Sequence, residues 1–371
     1  MNLCGRHLDI SLENLKLEQT YFVSIKGKVP GDFHGRVGWA SPSNIALVKY
    51  WGKHGKQLPQ NPSISFTLSE CRTETYVSFE KADRFGFSFF FEGKENPAFG
   101  AKIEKFLLDN QAFFPFISQL HLKVESRNSF PHSSGIASSA SSMSAFVMCL
   151  LEIENQLVGK SIDFQKASYF ARLASGSAAR SVFPAMALWG KTEAYEGSSD
   201  EYAVSLENDI HPVFKTYHDS ILIVSGESKS VSSRAGHALM DGNPYAPARY
   251  AQAKENIKNL LSALKSGDLD TFINITESEA LQLHALMMCS NPSYILMKPN
   301  TLNLINEIRR FREETKTPVC FTLDAGPNVH LLYPDSEAKQ VEKFVKKTLS
   351  NYCVGNQWID DEVGGWPKLL Q

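Results

Sequence analysis

Lys49 and Lys53 flank Tyr50, Trp51 and Gly52, directly after the apolar run 45–48. A cation placed against apolar surface is costly unless it faces an anion. Alone, either lysine reads equally well as a solvated surface charge. A second segment, residues 130–143, is rich in serine and alanine and leads into the apolar run 145–151. Such a loop feeds a helix start, where free amide N–H groups and the helix dipole attract phosphate, although alone it is no more than a cap. It is not a Walker A loop, and neither is Gly190-Lys191-Thr192, because Ala185 stands where that motif needs glycine. In residues 174–181, Ser177 and Arg180 are three apart and share a helical face. An arginine fork suits a carboxylate or a phosphate. Asp324 ends the strand-like run 319–323 and enters a Gly-Pro turn, where a carboxylate is also an ordinary turn former.

Bulk properties limit the partners. With 371 residues the chain can bury a large core as one big or two ordinary domains. Its 38 Lys and Arg against 40 Asp and Glu give a net charge of −2, so no overall field favours nucleic acid or an anionic membrane. A polyanionic substrate then has to be held by local cations. Six scattered cysteines without a C-x-x-C pair suit a reducing cytosol and no disulfide or zinc framework. Arg6, Asp9, Glu13 and Glu18 stand where a signal peptide needs an apolar core. No apolar run approaches the roughly 18 residues of a membrane helix.

The elements that must position these residues follow an α+β order. Strands are expected at 85–92, 120–124, 185–195, 202–206, 220–225, 319–324 and 329–333. Helices are expected at 101–113, 142–157, 163–174, 247–266, 269–288, 301–315 and 336–351. A break near 208–212 divides the chain into residues 1–208 and 209–371.

In this order along the chain, Asn44-Ile-Ala-Leu-Val-Lys-Tyr-Trp-Gly-Lys53, Asn61-Pro-Ser-Ile-Ser65, Gly135-Ile-Ala-Ser-Ser-Ala140, Ser175-Gly-Ser-Ala-Ala-Arg-Ser181 and Asp324-Ala-Gly-Pro-Asn328 resemble the GHMP kinase superfamily and, within it, the mevalonate diphosphate decarboxylase family. The resemblance runs over about residues 38–332. The first 35 or so residues look like an extension without an assigned role. The resemblance implies a GHMP kinase fold, with a ribosomal-S5-like N-terminal domain and a ferredoxin-like C-terminal domain. It implies ATP-dependent decarboxylation of mevalonate 5-diphosphate, with ATP and Mg²⁺, by a cytoplasmic homodimer. Asp324, Lys49, Arg180 and Ser177 are the implied catalytic residues. Asn44, Tyr50, Lys53, Ser175, Gly176 and Arg234 are the implied substrate-binding residues. Gly135, Ala137, Ser138, Ser139, Ser141 and Ser233 would meet the nucleotide, Ser139 also the Mg²⁺. Three departures from the family pattern stand at Pro62, at Ser141-Ser142 and at Ala179. A phosphomevalonate decarboxylase, a mevalonate 3-kinase and a catalytically silent binding protein remain as alternatives. No histidine has a context that suggests catalysis.

Overall fold

The computed structural model describes residues 29–131, 136–227 and 231–371. Its first half is built on a long hairpin of two strands, β1 (His34–Val48) and β4 (Ser63–Lys81), which pair antiparallel. Between them, β2 (Lys53–His54) and β3 (Leu58–Pro59) form a small hairpin. The rest of this sheet comprises β5 (Gly86–Phe91), β6 (Lys94–Glu95), β7 (Leu120–Asn128), β8 (Met186–Trp189) and β9 (Ala203–Ser205). The strand at the other edge is β14 (Lys368–Leu370), from the end of the chain, and it pairs with β1. The order is β14-β1-β4-β7-β5-β6, with β8 on β4 and β9 on β8.

Helices cover this sheet. The first, α1 (Pro97–Asp109), starts at Asn96, whose side chain accepts from the Phe99 amide. Next, α2 (Ser138–Val158) lies on β1 and β4 and stops at Gly159, where a positive φ of 68° suits glycine. After it, α3 (Phe164–Ala174) is capped by Asp163, which accepts from the amides of Gln165 and Lys166.

The second half holds a four-stranded antiparallel sheet, β10 (His218–Leu222), β11 (Cys320–Thr322), β12 (Val329–Tyr333) and β13 (Trp358–Glu362), in the order β11-β12-β10-β13. Its helices are α4 (Ser233–Ala238), α5 (Ala246–Ser266), α6 (Leu269–Met288), α7 (Pro299–Thr315) and α8 (Ala338–Lys347). This is the mixed α/β organisation that the sequence pattern anticipates. One apolar cluster joins the halves: Ile45, Val48, Ile64 and Phe66 pack with Phe214, Ile257, Phe272 and Leu332.

Several elements differ from the sequence reading. β4 was not expected, because its apolar alternation, Ile64, Phe66 and Leu68 and then Val77 and Phe79, is interrupted by the detour at 68–71 and by Cys71, Thr73 and Thr75 at the buried positions between. Helix α1 begins four residues earlier than expected, at its Asn96 cap and Pro97. The strand expected at 185–195 ends at Trp189, and the helix expected at 336–351 is α8 followed by a 3₁₀ turn, Leu349–Tyr352. The acidic β13 and the three-residue β14 gave no periodic pattern.

The hairpin of β1 and β4 is irregular where it approaches the second half. Pro42 opposes Arg72, but Asn44 opposes Thr67, so β4 detours through residues 68–71. Asp361 of β13 accepts the amides of Ser69, Glu70 and Cys71 at 2.7–2.8 Å, which satisfies the detour from across the molecule.

Candidate active site

Lys49 directly follows β1, and its side chain is 2% exposed. The Lys49 amide donates to Glu279 Oε2 at 2.9 Å, and its carbonyl accepts from Asn61 Nδ2 at 3.0 Å and Arg249 Nη2 at 3.3 Å. Glu279 of α6 is fully buried and also binds Arg249 and Asn256 of α5. The backbone of Lys49 is therefore clamped from the second half. Its Nζ donates to Ala46 O at 2.6 Å and reaches Asp324 Oδ1 at 3.2 Å. Burial pushes the ammonium below its ordinary pKa, against the pull of Asp324.

Asp324 stands just after β11 in a turn held from three sides. Its carbonyl accepts from His284 Nε2 at 3.1 Å and from the Gly326 amide at 2.7 Å. Thr301 Oγ1 donates to Pro327 O, and Asn328 Oδ1 accepts the amides of Val224 and Ser225. The carboxylate is 24% exposed, so it is held by the turn and open to a ligand.

Arg180 lies on the 3₁₀ turn Gly176–Val182 and is 2% exposed. Its Nε donates to Ser65 Oγ at 2.8 Å and its Nη1 to Ser63 Oγ at 2.7 Å, while Nη2 is 3.4 Å from Asn44 Oδ1. Among the described residues no carboxylate lies within salt-bridge distance of it. Burial pushes its pKa from 12.5 down to about 10, with Asp324 the larger opposing influence. Asn44 Nδ2 in turn donates to Ser181 Oγ and the Ser177 carbonyl. Ser175 and Ser177 are half-buried on the same turn, and Gly176 packs so tightly that a Cβ would sit 2.8 Å from Tyr50 Oη.

Tyr50 packs between Trp189, 4.6 Å away, and His237, 4.4 Å away, and burial raises its pKa. Lys53 starts the small hairpin, where its Nζ donates to Gln57 Oε1 at 2.7 Å. Partial burial lowers its pKa, and the exposed Arg234 of α4 lowers it further. Two cations thus sit near each other at the rim.

At the start of α2, Ala137 is left-handed at φ +34° and no side chain caps the helix. Ser43 Oγ donates to Ile136 O at 2.8 Å, tying this entry to β1. Ser139 is exposed and Ser138 half-buried. Ser141 points inward: its Oγ is 2.6 Å from Thr73 Oγ1 and fully buried. Gly135 and the side chain of Ser233 lie outside the described residues.

The fold thus brings Lys49, Asp324, Arg180 and Asn44 together from segments far apart in sequence. It adds residues that the motifs did not assign. Ser63 and Ser65 orient Arg180; their i, i+2 spacing on a strand, which places both on one face, was the available signal. Glu279 and Arg249 brace Lys49; each is a charge within an otherwise buried helix stripe. His237 had no signal at all. Chemically, the arrangement offers a carboxylate beside a buried cation, a buried guanidinium with no carboxylate in salt-bridge range among the described residues, rim cations and an uncapped, hydroxyl-rich helix start. Among the described residues no group of three or more His, Cys, Asp and Glu could hold a metal.

Two family models match the chain: the diphosphomevalonate decarboxylase-like N-terminal domain over residues 41–203 and the mevalonate 5-diphosphate decarboxylase C-terminal domain over residues 220–363. The diphosphomevalonate decarboxylase of Ganoderma lucidum is 31% identical over 334 residues, covering 83% of this chain and 80% of that protein. The crystal structure of mevalonate diphosphate decarboxylase from Staphylococcus aureus superposes with a TM-score of 0.79 at 27% identity, over 91% of this chain and 99% of that one. A complex named as MDDEF with MVAPP, AMPPCP and magnesium superposes at 0.77 with 27% identity, over 91% of this chain and all of that one.

Proposed function

Because the chain belongs to the diphosphomevalonate decarboxylase family, we propose that it converts mevalonate 5-diphosphate and ATP into isopentenyl diphosphate, CO₂, ADP and phosphate. The observation that carries the reading is the buried Arg180, hydrogen-bonded to neutral groups and without a carboxylate in salt-bridge range among the described residues, beside the contact of Lys49 with Asp324. A substrate with its own carboxylate and a hydroxyl β to it fits that pairing.

The chemical problem is a tertiary alcohol, since hydroxide is a poor leaving group. The 3-hydroxyl oxygen attacks the γ-phosphorus of ATP, and ADP leaves. The C–O bond to the new phosphate then breaks, and the carboxylate C–C bond supplies its electron pair to the alkene as CO₂ departs. Asp324 orients the 3-hydroxyl and accepts its proton. An aspartate near its reference pKa of roughly 3.9 is a weak base for an alcohol, so orientation is the larger part of its role. Lys49 keeps Asp324 ionised and offsets charge on the transferred phosphoryl group. Arg180 and Ser177 hold the substrate carboxylate, with Asn44 fixing the Ser177 carbonyl and one edge of the guanidinium. Tyr50, Lys53, Ser175 and Arg234 receive the 5-diphosphate, and Gly176 lets Tyr50 pack directly against the 3₁₀ turn.

The start of α2 receives the ATP phosphates through the amides near Gly135 and Ala137 and the hydroxyls of Ser138 and Ser139. Ser141, turned into the core, holds the helix in place, and Ser233 at the start of α4 is a further nucleotide contact. Mg²⁺ suits this site, because it takes hard oxygen donors and keeps most of its waters, so Ser139 and phosphate oxygens suffice. When bound it neutralises phosphate charge. A homodimer in the cytoplasm completes the proposal. No described helix is long and apolar enough to cross a membrane.

The test is incubation with ATP, Mg²⁺ and, separately, mevalonate, its 5-phosphate and its 5-diphosphate, with CO₂ and ADP measured independently. Both products should appear fastest with the 5-diphosphate. Preference for the 5-phosphate, or ADP without CO₂, refutes the reading.

A further inference from the structure

The segment 50–53 must be held in one shape for its tyrosine and lysine to meet a ligand together. Gly52 takes φ +91°, and a Cβ there would lie 2.1 Å from Tyr250 Oη, so no side chain fits. Its amide donates to His237 Nδ1 at 3.0 Å, which makes that nitrogen the unprotonated acceptor of the ring. The same ring lies against both neighbouring aromatics, 4.4 Å from Tyr50 and 4.5 Å from Trp51. One turn of helix carries the other half of the contact. Gly236 of α4 packs on Trp51, where a Cβ would sit at 2.6 Å, and Arg234 of the same short helix is near enough to Lys53 for its charge to lower the lysine's pKa. From the opposite side, buried Arg172 donates to the carbonyl of Lys56 and is itself paired with Glu201 at 2.6 Å. The small hairpin is therefore gripped at two points, and one of these is His237.

We infer that His237 is a positioning residue: through the Gly52 amide it docks α4 on the segment 50–53 and so sets the spacing between Lys53 and Arg234 that receives the terminal phosphate of the substrate. The inference rests on the reading above, in which these two cations meet the 5-diphosphate. Burial and the nearby Lys53 hold the His237 ring neutral, its pKa lowered to about 3. An imidazolium here would lose the acceptor and place a third positive charge beside Lys53 and Arg234. The neutral ring adds no third charge to that pair.

Two variants separate the hydrogen bond from the packing. His237→Phe keeps a ring between Tyr50 and Trp51 but offers nothing to the Gly52 amide. His237→Asn loses the ring, but its Oδ1 is as many bonds from the backbone as Nδ1 and can accept. Binding of inorganic pyrophosphate and of inorganic phosphate is measured by calorimetry, alongside kcat and KM for mevalonate 5-diphosphate and the unfolding temperature. In His237→Phe, pyrophosphate binding and KM should weaken about tenfold, with phosphate binding and kcat within about twofold of wild type. His237→Asn should recover most of the loss. Three results overturn the inference: wild type that binds pyrophosphate no better than phosphate, a phenylalanine variant that binds it as wild type does, or a parallel loss of both anions and of folding stability in both variants. A wild type that does not turn over the 5-diphosphate, yet shows the phenylalanine and asparagine pattern with pyrophosphate, refutes the functional reading and leaves the positioning role standing.

Discussion

Replacing Arg180 with glutamine should remove most of the activity and little of the stability. Both magnitudes follow from its surroundings. The guanidinium is 2% exposed and its pKa is pushed from 12.5 to about 10. A shift of that size means that the fold carries about 3 kcal/mol of cost for keeping the charged form buried. The hydrogen bonds to Ser63, Ser65 and Asn44 offset this, each contributing about 1 kcal/mol or somewhat more for a charged donor. The two sums are comparable, and the glutamine amide can still bond the serine hydroxyls. The unfolding temperature should therefore stay within about 2–4 °C of wild type, the shift that 1 kcal/mol gives in a domain of this size. The substrate carboxylate, by contrast, loses a desolvated charged partner. That costs about 2–5 kcal/mol in kcat/KM, or roughly 30- to 5000-fold. The assay is CO₂ release and ADP formation, followed separately, with calorimetric unfolding on the same samples. Both products should fall together, because a misplaced carboxylate also misplaces the 3-hydroxyl. Unchanged kcat/KM refutes the reasoning, and so does a fall of more than about 10 °C in unfolding temperature, which would make Arg180 a structural residue. ADP formation that persists without CO₂ assigns Arg180 to the decarboxylation step alone.

Asp324→Asn should lower kcat by roughly 10³ or more with little change in KM, and a variant that keeps over a tenth of wild-type kcat contradicts its role. Lys49 gives the pH dependence. Burial favours its neutral amine, so the proton leaves below the ordinary 10.5, and kcat should decline on the alkaline side of the optimum at a lower pH than a surface lysine would give. Asp324 works against that shift, so in Asp324→Asn the residual activity should lose its alkaline limb at still lower pH, while Lys49→Arg should abolish the limb; a pH profile of kcat checks both. For Arg234→Ala, the ratio of kcat/KM for the 5-diphosphate to that for the 5-phosphate should fall by roughly 10- to 100-fold, and an intact ratio leaves discrimination to Lys53 and Tyr50.

The segments to which the proposed chemistry is assigned were legible because each is short and its residue types are unusual together. Long periodic helices were legible for another reason: α6 spans the expected 269–288 and α3 begins one residue after the expected 163, at an aspartate cap. What the sequence could not give was contact across distance. Lys49 and Asp324 are 275 residues apart, and Arg180 meets Ser65 across 115. Nothing local marks such pairs, since they exist only once β1, the 3₁₀ turn and β11 are packed. β4 was hidden for a local reason, as buried threonines in its middle split the apolar positions Ile64, Phe66 and Leu68 from Val77 and Phe79 and mimic a polar stretch; those threonines are satisfied inside, Thr73 by Asn128 and Ser141, and Thr75 by Ser126. His237 was illegible because its partner is a backbone amide, and any residue supplies one of those.

The pattern of buried charge sets the candidate site apart from the rest of the molecule. Lys166 is paired with Glu154, Arg172 with Glu201 and Arg249 with Glu279, all within 2.6 Å and all with side chains at most 8% exposed. A cation removed from water needs such a partner, because hydrogen bonds to neutral groups replace hydration without replacing the opposite charge. Arg180 is as deeply buried as these and has hydroxyls and an amide where they have a carboxylate. Those neutral acceptors fix its orientation, and its charge is offset only at a distance, chiefly by Asp324. Lys49 lies 3.2 Å from a carboxylate that is itself partly open and feels Glu279 more weakly. In a chain with a net charge of −2, a surplus of positive charge gathered at one buried place has to be balanced by the ligand. The ligand that balances it best carries a carboxylate for Arg180 and further negative charge within reach of Lys53 and Arg234. That is why the same residues that lower the stability of the empty site would raise its affinity for a dianionic or more highly charged acid.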